Sequence, residues 1–161
     1  MHYIGIDPGQ SGGLALVTPT IASAVPMPLH PKEVQKAWGS PIDWMSMYQL
    51  LSQWEAPGAT VTVELVHAMP KQGVSSMFRF GGNFTGILAI LQALGCTYAL
   101  VPPRTWKRNV LGDEYDHDKA GAVAFCTDNY PDCNLLATSR SRVPHDGMAD
   151  ALCLAHYGKC L

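Results

Sequence analysis

The chain has 161 residues, of which 47% are apolar and 15% charged, and its formal net charge is −2. This length suits one domain with a substantial core, and no apolar run reaches the roughly 18 residues needed to span a bilayer. The net charge, taken alone, disfavours a general nucleic-acid binder.

Strand-forming and helix-forming segments alternate along the chain. Five apolar or β-branched runs predict strands, at residues 2–7, 14–17, 20–25, 60–66 and 96–101. Helical spacing and end signals predict five helices, at residues 42–54, 84–95, 104–111, 118–130 and 145–157. Ser40-Pro41 is typical of an N-cap followed by proline, and residues 67–82 are expected to form a long loop. The pattern predicts a single α/β domain with a mixed sheet.

The five cysteines and the N-terminus bear on the compartment. The cysteines are odd in number and form no C-x-x-C pair, which is typical of reduced thiols and argues against a structural zinc site. The chain does not begin with a basic leader followed by an apolar stretch, so we expect no signal peptide. These features predict a cytoplasmic protein.

Four acidic residues stand out against this background. Asp7 closes the first predicted strand, Glu64 interrupts the fourth, and Asp146 and Asp150 lie four apart on one face of the last helix. A site made of carboxylates favours a hard cation, and two magnesium ions can clamp the attacking and leaving oxygens of a phosphodiester. Each acid also has an ordinary alternative as a turn or capping residue, and Asp146 alone would be interpreted as a cap.

Four segments then resemble a known family. These segments, "IGIDPGQSGGLALV", "VTVELVHAMPKQG", "VPPRTWK" and "HDGMADALCLAHYG", resemble the successive motifs of RuvC-type Holliday junction resolvases within the RNase H-like superfamily. The similarity is greatest to phage-type and organellar members and spans nearly the whole chain in the right order. It implies a single nuclease domain over residues 1–161, with an RNase H-like mixed five-stranded sheet flanked by helices.

The resemblance also implies roles for the acids. Asp7, Glu64 and Asp150 match metal-binding catalytic acids of the family, with two Mg²⁺ ions expected and Mn²⁺ able to substitute. Many family members carry another acid three residues before the last one, where this chain has Gly147. We expect Asp146 to complete the site from one residue earlier, with His145 as the alternative or helper.

Basic residues fit the implied substrate. When the four candidate site acids are left out of the count, the chain has 11 basic and nine acidic residues. Lys107 resembles a lysine that the family places near the reacting phosphate, although a solvated surface lysine is the alternative. The basic residues expected to contact DNA are Lys71, Arg79, Arg104, Lys107, Arg108 and Lys119.

The segment "KQGVSSMFRFGG" suggests a further DNA contact. Apolar wedges can unstack bases, and Phe78 or Phe80 is the candidate wedge, the alternative being that both cover the core. The next helix is apolar around most of its circumference, so it is either fully buried or shared with a partner chain. The resemblance implies a homodimer, whose two-fold symmetry would match a four-way junction.

The implied activity is a magnesium-dependent endodeoxyribonuclease that resolves four-way DNA junctions by paired, symmetric nicks, leaving 5′-phosphate and 3′-hydroxyl ends. The alternatives are a nuclease acting on RNA–DNA hybrids or other branched DNA, and a non-catalytic junction binder. An actin-like ATPase would need a second domain, and a YqgF-like protein a basic residue in the second strand, where this chain has Gly12-Gly13-Leu14-Ala15. No membrane or nucleotide cofactor is expected, and the setting is a bacterial, phage-infected or organellar compartment.

Overall fold

A computed structural model describes residues 1–38, 41–67 and 73–161. The strands are β1 (Tyr3–Asp7), β2 (Gly13–Val17), β3 (Ala22–Pro26), β4 (Thr60–Glu64) and β5 (Tyr98–Val101). The helices are α1 (Lys32–Trp38), α2 (Trp44–Gln53), α3 (Val74–Ala93), α4 (Pro103–Val110), α5 (Lys119–Asn129) and α6 (Asp146–Tyr157). Single 3₁₀ turns lie at Ala56–Gly58 and Gly158–Cys160.

The five strands form one mixed sheet in the order β3-β2-β1-β4-β5, which confirms the predicted fold class. The first three strands are antiparallel neighbours, whereas β1, β4 and β5 run parallel. The parallel strands β1, β4 and β5 end at the same edge of the sheet, so residues at their carboxyl ends are brought together.

The sheet separates two hydrophobic cores. On one face, strand residues pack against α2 and α3; the buried strand side chains there are Ile4, Ile6, Leu14, Val61 and Val63. On the other face, α4, α5 and α6 cover the sheet around Ala15, Val17 and the fully buried Trp106. Successive strand residues alternate between these faces, so Gly5 and Asp7 share the α6 face.

Helix α6 packs directly on the centre of the sheet. A Cβ at Gly5 would collide with the backbone of Ala151 and Ala155, so the strand can approach the helix this closely only with glycine at this position. The contact places the first turns of α6 beside the carboxyl end of β1.

The predicted loop at residues 67–82 is wrong over its second half. Helix α3 begins at Val74 and continues without interruption to Ala93. Ser75-Ser76 and Gly81-Gly82 suggested a loop because serine and glycine are poor helix formers, each glycine costing about 1 kcal/mol relative to alanine. The apolar turns that follow, anchored by Ile87 and Leu91 in the core, offset that cost.

Two other local predictions differ from the structure. Helix α2 begins at Trp44, and its N-cap is Asp43, whose carboxylate accepts a hydrogen bond from the backbone N–H of Ser46 at 3.1 Å. The predicted cap Ser40 lies outside the described residues. Helix α1 was not predicted, because the preceding prolines indicated a loop. Among the described helices, none is long and apolar enough to cross a membrane.

Candidate active site

The carboxyl ends of β1 and β4 place two acidic side chains side by side. Asp7 is the last residue of β1, and Glu64 is the last residue of β4, not an interior strand residue as predicted. In this parallel pair Ile6 lies opposite Val63, so the next residues continue the register. Because residues in register on neighbouring strands point to the same face, both carboxylates lie on the α6 side of the sheet.

Helix α6 adds two more acids, Asp146 at its first residue and Asp150 one turn later. The helix start lies against the turn between β1 and β2. A Cβ at Gly147 would collide with the carbonyl oxygen of Ser11 and lie 2.7 Å from the Cα of Gly12. Position 147 therefore cannot hold an acid in this packing, and Asp146 carries the carboxylate at the helix start.

Burial and mutual repulsion disfavour the charged forms of the inner acids. Burial raises the pKa of Asp7 well above its usual range, and the nearby carboxylates of Glu64, Asp150 and Asp146 raise it further. Burial also raises the pKa of Asp150 to about 6. The Oδ1 atom of Asp150 is buried and hydrogen-bonds to no residue that the structure describes. Among the described residues neither side chain forms an ion pair, although the charges of Lys107 and Lys119 partly oppose the raised pKa of Asp150.

Glu64 has a defined polar partner. Its Oε2 accepts a hydrogen bond of 2.8 Å from the indole Nε1–H of Trp106 on α4. Burial raises the pKa of Glu64, whereas the Trp106 hydrogen bond and the charge of Lys107 act in the opposite direction. The glutamate is therefore oriented by α4.

Asp146 is already neutralised. The Lys119 ammonium at the start of α5 donates a hydrogen bond to its Oδ2, and this contact lowers the pKa of Asp146 and raises that of Lys119. The other oxygen of Asp146 accepts from the backbone N–H of Gly147 at 3.1 Å. Lys119, expected from the sequence to contact DNA, thus lies among the acids.

The cap of α6 is His145, not Asp146. Its Nδ1 accepts a hydrogen bond from the backbone N–H of Met148 at 3.2 Å. The interpretation of Asp146 as an ordinary cap is therefore wrong, and His145 uses one ring nitrogen to begin the helix.

Lys107 also faces the acids. Its charge opposes the raised pKa values of Glu64 and Asp150. Its Nζ lies 5.4 Å from the centroid of the Trp106 ring, within cation–π range, and donates to the backbone carbonyl of His117 at 3.3 Å. Lys107 on α4 and Lys119 on α5 therefore both act on the charge of Asp150.

The remaining candidate DNA contacts surround this cluster less closely. Arg104 and Arg108 are exposed one turn apart on α4, and Arg79 is exposed on α3. Lys71 lies outside the described residues. None of the three arginines has an ion pair with an acid among the residues described, so their charges face solvent.

The two candidate wedge residues differ sharply. Phe78 is 83% exposed on the first turns of α3, whereas Phe80 is partly buried. Phe80 and Arg79 line a cleft of about 590 Å³ that also contacts Gln10, three residues after Asp7. The cleft therefore leads from α3 toward the loop that follows the first acid.

The donor set is suited to a divalent cation. It consists of carboxylate oxygens, and one of them, Asp150 Oδ1, is buried without a partner among the described residues. In those same residues, no three His, Cys, Asp or Glu side chains already lie at ligand distances from one another. The charges of Glu64, Asp150 and Asp146 add to burial in raising the pKa of Asp7.

Sequence reasoning overlooked two features of this site. Trp106 was treated as part of a basic motif, although a tryptophan between charged neighbours in "RTWKR" indicates an anchor whose N–H needs a partner. Gly147 was noted only as the position of a missing acid, and its close contact with Gly12 depends on a packing that the sequence does not display.

The comparisons identify the fold. No protein-family model and no curated protein sequence matches the chain. The structure of Thermus thermophilus RuvC superposes with a TM-score of 0.62 at 17% identity, covering 99% of this chain and 95% of that one. The same enzyme in complex with a Holliday junction substrate gives 0.63 at 16% identity over 99% and 94%. The yeast mitochondrial Holliday junction resolvase Ydc2 gives 0.53 at 13% identity over 94% and 75%. The chain therefore has the RuvC-type, RNase H-like fold that its sequence motifs predicted.

Proposed function

We propose that this protein is an endonuclease that resolves four-way DNA junctions. The observation that carries the proposal is the carboxylate cluster of Asp7, Glu64, Asp146 and Asp150 at the carboxyl ends of β1 and β4, within this fold. Proteins with the same fold include RuvC bound to a Holliday junction. Burying unpaired carboxylates lowers stability, so their presence here favours a functional reason.

The four acids would hold divalent cations, with Mg²⁺ the expected ion and two ions the expected number. When bound, such ions supply Lewis-acid chemistry and charge neutralisation at a scissile phosphate. Glu64 enters this site already oriented by its hydrogen bond to Trp106. Asp7 and Asp150 present oxygens whose mutual repulsion a cation would relieve.

The lysines complete the charge balance. Lys107 and Lys119 lie on different helices and both act electrostatically on Asp150. Ammonium groups at the edge of a carboxylate cluster can hold the phosphate that the acids would otherwise repel. The exposed Arg104 and Arg108 would contact the backbone further along the DNA, which predicts salt-dependent binding.

A homodimer with an aromatic wedge suits the substrate. Phe78 and Val74 are strongly exposed on the first turns of α3, an unusual position for large apolar side chains. Phe78, rather than the partly buried Phe80, is therefore the wedge that would enter the junction centre. Two copies would bring two such sites to symmetric strands and produce paired nicks with ligatable ends.

The test is cleavage of an end-labelled synthetic four-way junction with Mg²⁺, beside matched duplex DNA and an RNA–DNA hybrid. We expect paired symmetric nicks in the junction alone. Asp7→Asn should abolish cleavage while the junction is still bound, because only the site chemistry is lost. Phe78→Ala should slow cleavage of the junction without altering metal binding.

Other outcomes would replace the proposal. Cutting of the hybrid in preference to the junction would indicate an RNase H activity. Tight junction binding without cleavage by the wild-type protein would indicate a structural junction binder. Loss of folding in Asp7→Asn would show that the acid is structural.

A further inference from the structure

Trp106 occupies an unusual position for a tryptophan in a strongly basic helix. Its side chain is fully buried between α4 and the sheet, while its neighbours Arg104 and Arg108 are exposed. Its only polar atom, Nε1, donates to Glu64 Oε2 at 2.8 Å. A buried indole N–H needs an acceptor, and here the acceptor is a carboxylate of the candidate active site.

The contact restricts the glutamate more than the tryptophan. A glutamate at the end of a strand has three side-chain torsions and can adopt many rotamers. The indole is a rigid ring held by the core around Ala15, Phe125 and Met148, so its N–H has a fixed direction. A charge-assisted hydrogen bond to that fixed donor selects the glutamate rotamers that keep Oε2 beside Trp106.

The bond leaves the other glutamate oxygen available. A carboxylate offers about four lone-pair positions, and Trp106 fills one of them on Oε2. Oε1 and the remaining lone pair of Oε2 can still face Asp7 across the end of the strands. Metal-binding residues commonly need such an outer partner to hold their orientation.

The same residue couples Glu64 to Lys107. Lys107 follows Trp106 in α4, and its Nζ lies 5.4 Å from the ring centroid. The buried Trp106 side chain therefore contacts both a carboxylate and an ammonium group of the candidate site.

We propose that Trp106 is a positioning residue that orients Glu64 for a divalent cation. The inference rests on the proposed function only in requiring a cation at the carboxylates, and it requires no particular DNA substrate. The inference is tested by the affinity of the protein for the cation, which can be determined without any nuclease assay.

The experiment is a double-mutant cycle read by Mn²⁺ titration calorimetry on wild type, Trp106→Phe, Glu64→Gln and the double variant. We expect Trp106→Phe to weaken Mn²⁺ binding about 10- to 100-fold in the presence of Glu64. In the Glu64→Gln background the same substitution should have little further effect, because the negatively charged carboxylate that Trp106 orients for the cation is gone, although the glutamine amide oxygen can still accept the indole N–H. Trp44→Phe, on the opposite core, is the matched control and should leave the affinity unchanged.

If Trp106 has only a structural role, Trp106→Phe should weaken Mn²⁺ binding by the same factor in wild type and in Glu64→Gln. That result would overturn the inference. If Trp106→Phe does not fold, β-(3-benzothienyl)alanine introduced at this position by ligation keeps the shape and removes only the N–H. The same 10- to 100-fold loss is then expected, and unchanged affinity overturns the inference.

The failure of this inference can be separated from failure of the proposed function. Equal Mn²⁺ affinity in wild type and Trp106→Phe refutes the positioning role alone. Tight, Trp106-dependent Mn²⁺ binding by a protein that cuts no junction supports the positioning role and refutes the resolvase proposal. A wild-type protein that binds no Mn²⁺ overturns both.

Discussion

Two carboxylates one turn apart on α6, Asp146 and Asp150, have opposite environments. Asp146 lies at the helix start, accepts hydrogen bonds from Lys119 and from a backbone N–H, and has a lowered pKa. Asp150 lies deeper, its Oδ1 has no partner among the described residues, and burial raises its pKa to about 6. One helix therefore carries a satisfied acid and an unsatisfied one.

The difference indicates what each acid is for. An acid that is paired with a lysine of the same chain lowers the stability of the folded protein little when no cation is bound. An acid buried without a partner lowers stability until a cation or a proton arrives, and such groups concentrate at functional sites. We therefore propose that Asp150 and Asp7 form the part of the site that most needs a cation, and that Asp146 lies at its rim.

The largest expected effect is on cleavage. Asp150→Asn should abolish junction cleavage, because it removes a buried ligand charge that no other residue replaces. Asp146→Asn should lower the rate only about tenfold, because that acid is already neutralised by Lys119. Single-turnover cleavage rates with saturating Mg²⁺ measure both, and an equal loss in the two variants would contradict the comparison.

A smaller effect of the opposite sign is expected on stability without metal. At pH 8, Asp150→Asn should raise the free energy of unfolding by about 1–2 kcal/mol, because the buried charge and its repulsion by Glu64 are removed. Urea unfolding in EDTA measures this. Asp43→Ala is the control: it removes the N-cap of α2 and should lower the free energy by about 1 kcal/mol.

The gain from Asp150→Asn should depend on pH with a known sign. A carboxyl whose folded-state pKa is raised binds more protons in the folded protein, so stability rises as pH falls through about 6 toward the unfolded value near 4. The difference in the free energy of unfolding between wild type and Asp150→Asn should therefore shrink as the pH falls from 7 to 4. Taking this difference cancels titrating groups on which Asp150 does not act, such as His156, whose lowered pKa acts in both proteins. A constant difference across that range would contradict the buried environment of Asp150.

The sequence predicted the strand-borne half of this site better than the rest. Asp7 ends an apolar run and Glu64 interrupts a β-branched one, and the period-two alternation of strands fixes their common face once the parallel pairing is known. The five strands and the last three helices were predicted for the same reason, because their periodicity and end signals are local. Helix α3 was predicted from Phe84 onward only, since its first turns depend on packing downstream.

The helix-borne half was less predictable. The sequence shows Asp146, Gly147 and Asp150, but not that Gly147 touches Gly12 of the β1–β2 turn. Nor does it show that Lys119, 27 residues before Asp146, pairs with it. Such contacts join segments far apart in the chain, and only the packing of α5 and α6 on the sheet brings them together.

The smallest expected effect distinguishes Lys119 from an ordinary surface lysine. Lys119→Gln should leave the melting temperature almost unchanged, because an exposed ion pair contributes little to stability. The same change should strengthen Mn²⁺ binding several-fold, since it frees Asp146 and removes a positive charge that also acts on Asp7 and Asp150. Titration calorimetry at low salt measures this gain, and Lys159→Gln, on a lysine that pairs with Tyr130 instead, is the control. Weaker Mn²⁺ binding by Lys119→Gln would mean that the lysine holds Asp146 in its productive position, and would move Asp146 from the rim of the site to its centre.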